Sequence, residues 1–213
     1  TAKGKGAGFL AEPQKLDQFL DQIFSKLDMK ISIKTRIGTH YEEDWEYLLA
    51  IYEKYPIHEL IIHPRIQTDM YRGVPRLGAY EKAVNRLKMP LCYNGNLFSA
   101  ADYKRITERF PDTCCFMYGR GLITNPGLVT EIREGIRPDK KTVREFHDCL
   151  FEEYRELLSG ERNVLFRMKE LWSYMAVNFT NYEKYAKKIK KSQHLSEYSS
   201  VVSSLFAEQD LID

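Results

Sequence analysis

Residues 30–36 read KISIKTR, a short strand pattern that ends just before Gly38. A helix is predicted from about residue 42 to residue 54, because apolar residues recur there at helical spacing. Residues 58–63 read HELIIH, which is typical of a buried strand. A strand, an amphipathic helix and a second apolar strand in succession indicate a parallel sheet, so this stretch decides the fold class.

The same alternation extends in both directions from this stretch. On the N-terminal side, apolar residues at helical spacing follow Pro13, which suits the first turn of a helix. On the C-terminal side, a long loop leads into two further strand–helix repeats. Their predicted elements are a helix near 79–88, a strand at 90–93, a helix at 99–109, a strand at 113–118 and a helix starting near Asn125–Pro126. Residues 30–135 therefore contain four predicted strand–helix units.

A domain boundary is predicted at Arg137-Pro138-Asp139, because strand patterns stop after this point. The chain is thus divided into an α/β domain at residues 1–137 and an all-α domain at residues 138–213. The predicted helices of the second domain are 140–158, 161–178, 181–191 and 195–207.

The composition is that of an ordinary globular protein, with 213 residues, 43% of them hydrophobic and 29% charged. No apolar run is long enough to cross a bilayer, and residues 1–6 lack a secretory pattern. The four cysteines have no CxxC spacing, which predicts reduced thiols in a cytoplasm and no metal site. We expect all four to be small buried hydrophobic residues; they are Cys92, Cys114, Cys115 and Cys149.

The charge of the chain is uneven, although its net charge is only +2. Residues 161–191 contain eight Lys or Arg residues against three acids, a local excess of +5. Such a basic segment suggests a polyanionic partner. On charge alone, a solvated helix face is the better explanation of this segment.

Each predicted strand ends in polar residues or glycine, and ligands of parallel β/α folds bind at these ends. The last two ends, residues 94–96 and 119–121, suggest a phosphate cradle, because glycine lets backbone N–H groups approach an anion. Each of these two segments, taken singly, is better explained as a turn. The occurrence of both segments in succession favours a phosphate-binding site. The strand-end residues are Lys34, Arg36, His63, Arg65, Asn94, Gly95, Gly119 and Arg120.

Two strand-end side chains point to a cofactor, although each has a simpler explanation. Lys34 can stabilise negative charge on a bound cofactor, and the alternative is a surface lysine. His63 follows an apolar run, where histidine is usually a hydrogen-bonded core or rim residue. Arg65, two positions further on, favours a binding site at this edge.

These motifs resemble those of the tRNA-dihydrouridine synthases, in order and at similar spacing. The resemblance covers almost the whole chain and weakens beyond about residue 138. It implies a (β/α)8 TIM barrel, of which residues 1–137 are the second half, followed by a helical tRNA-binding domain. It also implies reduction of uridine to 5,6-dihydrouridine in tRNA, with FMN recharged by NADPH. The matching segments are residues 33–38, 63–65, 71–73, 94–95 and 118–121.

The resemblance assigns roles to individual residues. Lys34 would contact the pyrimidine edge of the flavin and favour its anionic reduced ring, and His63 would also contact FMN. The FMN phosphate would be held by Asn94, Gly95, Asn96, Gly119 and Arg120, although position 96 is often glycine in the family. Substrate would approach Arg65 and the loop through Arg72. Phosphates of tRNA would be neutralised in the helical domain by Arg167, Lys169, Lys184, Lys187, Lys188, Lys190 and Lys191.

The resemblance also implies that part of the site lies outside this chain. A complete barrel needs roughly 250 residues, so the first four strands are expected to precede Thr1. They would contain the catalytic cysteine, which donates a proton to the uracil ring. We therefore expect this polypeptide alone to be inactive, and its open sheet to self-associate or to pair with the missing half.

Two other functions are compatible with the sequence. The first is another FMN barrel oxidoreductase acting on a small molecule, such as a dihydroorotate-type dehydrogenase, although such a substrate does not need a basic helical tail. The second is a non-catalytic RNA-binding remnant that has lost its active half. Salt-dependent tRNA binding without FMN uptake would favour the second.

Overall fold

A computed structural model describes residues 5–212 of the chain. Residues 1–4 and Asp213 lie outside the described residues. The prediction that residues 1–6 lack a secretory pattern falls partly on this stretch. The helices and strands are, in chain order, α1 Pro13–Lys26, β1 Ser32–Arg36, α2 Asp44–Tyr52, β2 Glu59–His63, α3 Leu77–Arg86, β3 Leu91–Tyr93, α4 Ala100–Arg109, β4 Cys115–Phe116, α5 Arg120–Thr124, α6 Leu128–Glu134, α7 Lys140–Leu157, α8 Glu161–Met175, α9 Tyr182–Lys191 and α10 Leu195–Glu208. Short 3-10 helices occur at Gly6–Ala11, Gln67–Asp69 and Ala176–Asn178.

The four strands form one parallel sheet in the order β1-β2-β3-β4. This arrangement confirms the predicted α/β class and the four predicted strands. The prediction that the sheet is the second half of a TIM barrel stays a prediction. β4 has only two residues, fewer than the six predicted.

The chain forms two compact units, which we call the strand unit and the helical unit. Within the described residues, the strand unit comprises residues 5–97 and 104–118, and the helical unit comprises residues 98–103 and 119–212. The division after Tyr118 lies upstream of the predicted boundary at residue 137, because α5 packs against α8 in the helical unit.

One face of the sheet forms the core of the strand unit. Ile33, Leu60, Ile62 and Tyr93 on this face pack with apolar residues from the helices around them. Trp45 of α2 is buried, and its indole Nε1 donates to the carbonyl oxygen of Ala79 at 2.8 Å. Because side chains alternate along a strand, the opposite face carries a different set of residues. That second face includes Lys34, Arg36, Glu59, Ile61, His63, Cys92 and Cys115.

The helical unit has its own core, built mainly from α7 to α10. These helices confirm the four predicted in this region, with ends that differ by a few residues. Asp139 caps α7, since its side chain accepts a hydrogen bond from the backbone N–H of Thr142 at 2.8 Å. No helix within residues 5–212 is both long and apolar enough to span a bilayer.

The region between the last strand and residue 135 differs from the prediction. A loop followed by a helix starting near Asn125 was expected, and two short helices, α5 and α6, are found. α5 begins at Arg120, inside the predicted phosphate loop. Pro126 lacks a backbone N–H, and the second helix starts only at Leu128.

Candidate functional site

The register of the sheet places several predicted site residues at its carboxyl edge. Arg36 pairs with His63, and the backbone N–H of Asn94 donates to the carbonyl oxygen of Ile62 at 2.9 Å. Lys34 lies on the same face as His63 and pairs with Ile61, two residues before the strand end. The strand unit therefore brings Lys34, His63 and Asn94 to one edge, as the sequence predicts for neighbouring parallel strands.

Lys34 gives this edge a strong positive character. Its side chain is exposed, yet the surrounding protein removes enough water to lower its pKa below the ordinary 10.5, and the charge of Arg36 lowers it further. An anion bound near Lys34 and Arg36 would stabilise the charged form of the lysine, because it would offset the repulsion between the two cations. The arrangement suits an anionic ligand at the end of β1.

The segment after β3 has structural contacts that account for its residue types. The Asn94 side chain donates to the carbonyl oxygen of Met117 at 2.8 Å and so joins the ends of β3 and β4. A β-carbon at Gly95 would collide with the hydroxyl of Tyr93, which is buried. Asn96 accepts a hydrogen bond from Arg65 at 3.3 Å. Packing alone therefore explains the glycine, and the predicted phosphate role of residues 94–96 stays a prediction.

Gly119 and Arg120, the other part of the predicted phosphate cradle, belong to the helical unit. A β-carbon at Gly119 would meet no atom within 4 Å, so the structure leaves space for a ligand at this backbone. The Arg120 guanidinium lies 5.3 Å from the ring centroid of Phe98. This geometry is compatible with an anion at Gly119.

Arg65 is completely buried, which its predicted role in binding substrate did not anticipate. Its guanidinium donates to the carbonyl oxygens of Arg72 and Gly73, the latter at 2.7 Å. Arg65 therefore fixes the loop between β2 and α3 from inside. Arg72 itself has an exposed side chain in that loop. The predicted substrate roles of Arg65 and Arg72 stay predictions.

Tyr71 lies at the same edge and was predicted only as part of the loop through Arg72, without a role of its own. The Tyr71 ring is 58% exposed, and its centroid lies 6.2 Å from that of the His63 ring. Arg36 donates from its guanidinium to the carbonyl oxygens of Ile66 and Met70, at 2.8 and 3.2 Å. Tyr71 is an aromatic residue within one of the motifs that resemble the family. That feature of the sequence could have marked it as a candidate site residue.

Three further polar side chains cluster on the second face of the sheet. One ligand atom from each of Glu59, Cys92 and Cys115 lies within 4.8 Å of the others. Burial raises the pKa of Cys92 to about 12, and a hydrogen bond to Glu59 raises the pKa of Cys115. Both thiols therefore stay protonated and unreactive near neutral pH.

The prediction that all four cysteines are buried is wrong for two of them. Cys114 and Cys149 are exposed, whereas Cys92 is buried and Cys115 is half-buried. Cys114 directly precedes β4, and Cys149 lies on the solvent side of α7. Cys114 therefore lies at the amino end of its strand, away from the carboxyl edge of the sheet, and Cys149 belongs to the helical unit.

The predicted RNA-binding residues of the helical unit differ in their surroundings. Lys169 donates to the carbonyl oxygen of Ser192, and Arg167 pairs with Glu170 at 2.5 Å, so both have structural partners. Lys184 and Lys188 lie over the Tyr185 ring, with Nζ 5.4 and 5.9 Å from its centroid. The lysines of α9 form an exposed basic surface, which consists of Lys184, Lys187, Lys188, Lys190 and Lys191.

Comparison with known proteins places these features in a family. A sequence model described as Dihydrouridine synthase (Dus) matches residues 1–209. The chain is 25% identical over 225 residues to the probable tRNA-dihydrouridine synthase 1 of Synechocystis sp., covering 100% of this chain and 59% of that protein. It is 29% identical over 152 residues to the tRNA-dihydrouridine(16) synthase of Shewanella oneidensis, covering 68% of this chain and 46% of that protein.

A third relative gives a similar picture. The chain is 26% identical over 140 residues to tRNA-dihydrouridine synthase B of Pasteurella multocida, covering 64% of this chain and 41% of that protein. The chain thus spans about half the length of the curated relatives it matches. The family match over nearly all of the chain confirms the resemblance drawn from its motifs, and the chain belongs to the dihydrouridine synthase family.

Proposed function

We propose that the protein containing this chain is an FMN-dependent tRNA-dihydrouridine synthase that reduces uridine to 5,6-dihydrouridine with electrons from NADPH. The observation that carries the proposal is the position of Lys34 and His63 on one face at the carboxyl edge of the parallel sheet. Family membership gives this edge its expected chemistry. When bound, FMN supplies the hydride for the reduction.

The donor set of the chain fits an anionic flavin. Lys34, with its lowered pKa, would hold the electron-rich pyrimidine edge, where an ammonium group stabilises negative charge. His63 is buried on the same face of the sheet and would also contact the flavin. The phosphate ligands proposed in the strand unit are Asn94, Gly95 and Asn96. Those proposed in the helical unit are Gly119 and Arg120, and the open space at the Gly119 backbone supports them.

The proton required by the uracil ring is proposed to come from a cysteine outside this chain. Among residues 5–212, Cys92 and Cys115 have raised pKa values and lie before the strand ends. Cys114 also precedes β4, and Cys149 lies in α7. We propose that further strands pair with the outer strands β1 and β4 and complete the site, because open sheet edges favour such pairing.

The test is made on the full-length protein and its gene. Deletion of the gene is expected to remove dihydrouridine from at least one position of cellular tRNA, measured by mass spectrometry of digested tRNA. The purified protein is expected to carry FMN and to oxidise NADPH when unmodified tRNA is added. Unchanged dihydrouridine in the deletion strain, together with no turnover in vitro, would contradict the proposal.

The basic surface of α9 supports tRNA as the substrate and gives a direct prediction. Replacing Lys187, Lys190 and Lys191 together by glutamine is expected to weaken tRNA binding about tenfold at moderate salt, because fewer counterions are released. The slope of log K against log salt concentration should fall by about 2, as three phosphate contacts are lost. Filter binding at several salt concentrations measures both quantities.

A matched triple variant tests whether position matters. Lys88, Lys104 and Lys141 are exposed lysines on other helices or loops, and changing them to glutamine removes the same charge. We expect tRNA binding by this control to stay within about twofold of wild type. Equal losses in the two triple variants would show that net charge, and not the α9 surface, governs binding.

A further inference from the structure

Three side chains that can bind a metal ion meet on the second face of the sheet, each from a different strand. Cys92 of β3 pairs directly with Cys115 of β4 in the sheet register. Glu59 begins β2, which lies on the other side of β3. One ligand atom from each of the three lies within 4.8 Å of the others. The cysteine spacing predicted no metal site, because ligands on three separate strands leave no local motif in the sequence.

The spacing of the three ligand atoms suits a single tetrahedral ion. Zinc–sulfur bonds of about 2.3 Å and zinc–oxygen bonds of about 2.0–2.2 Å place neighbouring ligand atoms roughly 3.5–3.8 Å apart. Since no pair in the cluster is more than 4.8 Å apart, closure around an ion needs a shift of only about 1 Å. Cys92 is 2% exposed and the other two side chains are half-buried, so the protein already excludes much of the water.

The chemistry of the cluster selects one class of cation. Two thiolates and one carboxylate favour a thiophilic divalent ion such as zinc over magnesium or calcium, which prefer oxygen ligands alone. A divalent ion with these three anionic ligands carries a net charge of −1. Lys34 lies in the same row of the sheet as Cys92 and Cys115, and its ammonium group interacts electrostatically with Cys92. The lysine would therefore balance the charge of the loaded site.

We infer that Glu59, Cys92 and Cys115 form a structural site for a divalent cation of the zinc class, which links β2, β3 and β4. As the ion binds, two S–H bonds give way to two metal–thiolate bonds, both protons pass to solvent, and no oxidation state changes. Water takes the fourth tetrahedral position. β4 has two residues and pairs with β3 at two positions, so this link would stabilise the shortest strand of the sheet. The inference goes beyond the proposed reaction and does not depend on it.

The first test titrates Co²⁺ into the full-length protein, which is stripped of metal with a chelator and kept reduced with a phosphine. We expect a thiolate-to-cobalt charge-transfer absorption that saturates at about one ion per chain and disappears when Zn²⁺ is added. Cys92→Ser and Cys115→Ser should each abolish this absorption. The matched control is the double variant Cys114→Ser with Cys149→Ser, which removes two exposed thiols outside the cluster and should retain it.

The second test measures stability and does not depend on the serine variants folding. Zn²⁺ at about 100 times its Kd is expected to raise the thermal unfolding midpoint of the stripped wild-type protein by about 5 °C or more. Glu59→Gln keeps the shape of a half-buried side chain and should weaken Zn²⁺ binding about tenfold or more. A wild-type protein without the cobalt absorption would overturn the inference, as would equal Zn²⁺ affinity in wild type and Glu59→Gln. Either result would mean that the three groups only form hydrogen bonds with one another.

Discussion

Replacing Arg65 by alanine is expected to lower the free energy of unfolding by about 3 kcal/mol, a large change for a single residue. Arg65 is 0% exposed, so its removal leaves a cavity beneath the loop between β2 and α3. It also removes hydrogen bonds to the carbonyl oxygens of Arg72 and Gly73 and to the side chain of Asn96. Denaturant unfolding of the full-length protein measures the change in stability.

Hydrogen exchange locates the effect of Arg65→Ala. Backbone amides of residues 70–76 should exchange faster in the variant than in wild type, because their loop loses its internal anchor. Arg72→Ala is the matched control, since Arg72 is exposed in the same loop, and its stability should change by less than about 0.5 kcal/mol. If residues 70–76 exchange in the Arg65→Ala variant at the same rate as in wild type, the arginine does not hold the loop.

The burial of Arg65 could not be predicted from the sequence. An arginine at a strand end is expected to be exposed, and its burial depends on carbonyl groups of residues 72 and 73 that reach it only after the loop folds. Tyr71 could not be singled out within its loop for the same reason, because its position depends on Arg36, 35 residues earlier in the chain. Contacts of this kind have no periodic signal in the sequence.

The regular elements were predictable because their signals are local. Apolar runs and helical spacing indicated the four strands and the helices α7 to α10, and the structure confirms them. α5 was missed because five residues are too few to show a helical period. The family could be recognised because its motifs lie at strand ends, where the order of strands is the order of the sequence.

A hydrogen-bonded network in the core of the helical unit joins three helices. The hydroxyl of Tyr198 on α10 accepts a hydrogen bond from Trp172 Nε1 on α8 at 2.6 Å. The same hydroxyl lies 2.6 Å from Nε2 of His147 on α7. Nδ1 of His147 lies 2.7 Å from the carboxylate of Asp148, which fixes the tautomer with the proton on Nδ1. Tyr198 therefore donates to the histidine while it accepts from the tryptophan.

The second large effect is expected for Tyr198→Phe, which should destabilise the helical unit by about 3 kcal/mol. Removing the hydroxyl leaves the Trp172 N–H and the His147 Nε2 without their partner, and each buried unsatisfied group costs about 1–3 kcal/mol. Tyr185→Phe is the matched control, because its hydroxyl bonds to the exposed Glu208 at 2.6 Å and water can replace it. That control should lose less than about 1 kcal/mol.

The same network predicts how stability changes with pH. Burial lowers the pKa of His147 below its ordinary 6.5, so the folded state favours the neutral ring while the unfolded state takes up a proton. Its contribution is fully present above pH 6.5 and is lost as the pH falls through the lowered pKa. Hydrogen exchange of α7 and α10 between pH 7 and pH 5 should show wild type losing stability with acid, and His147→Gln should lose less across that range. An equal pH dependence in both proteins would show that another group titrates.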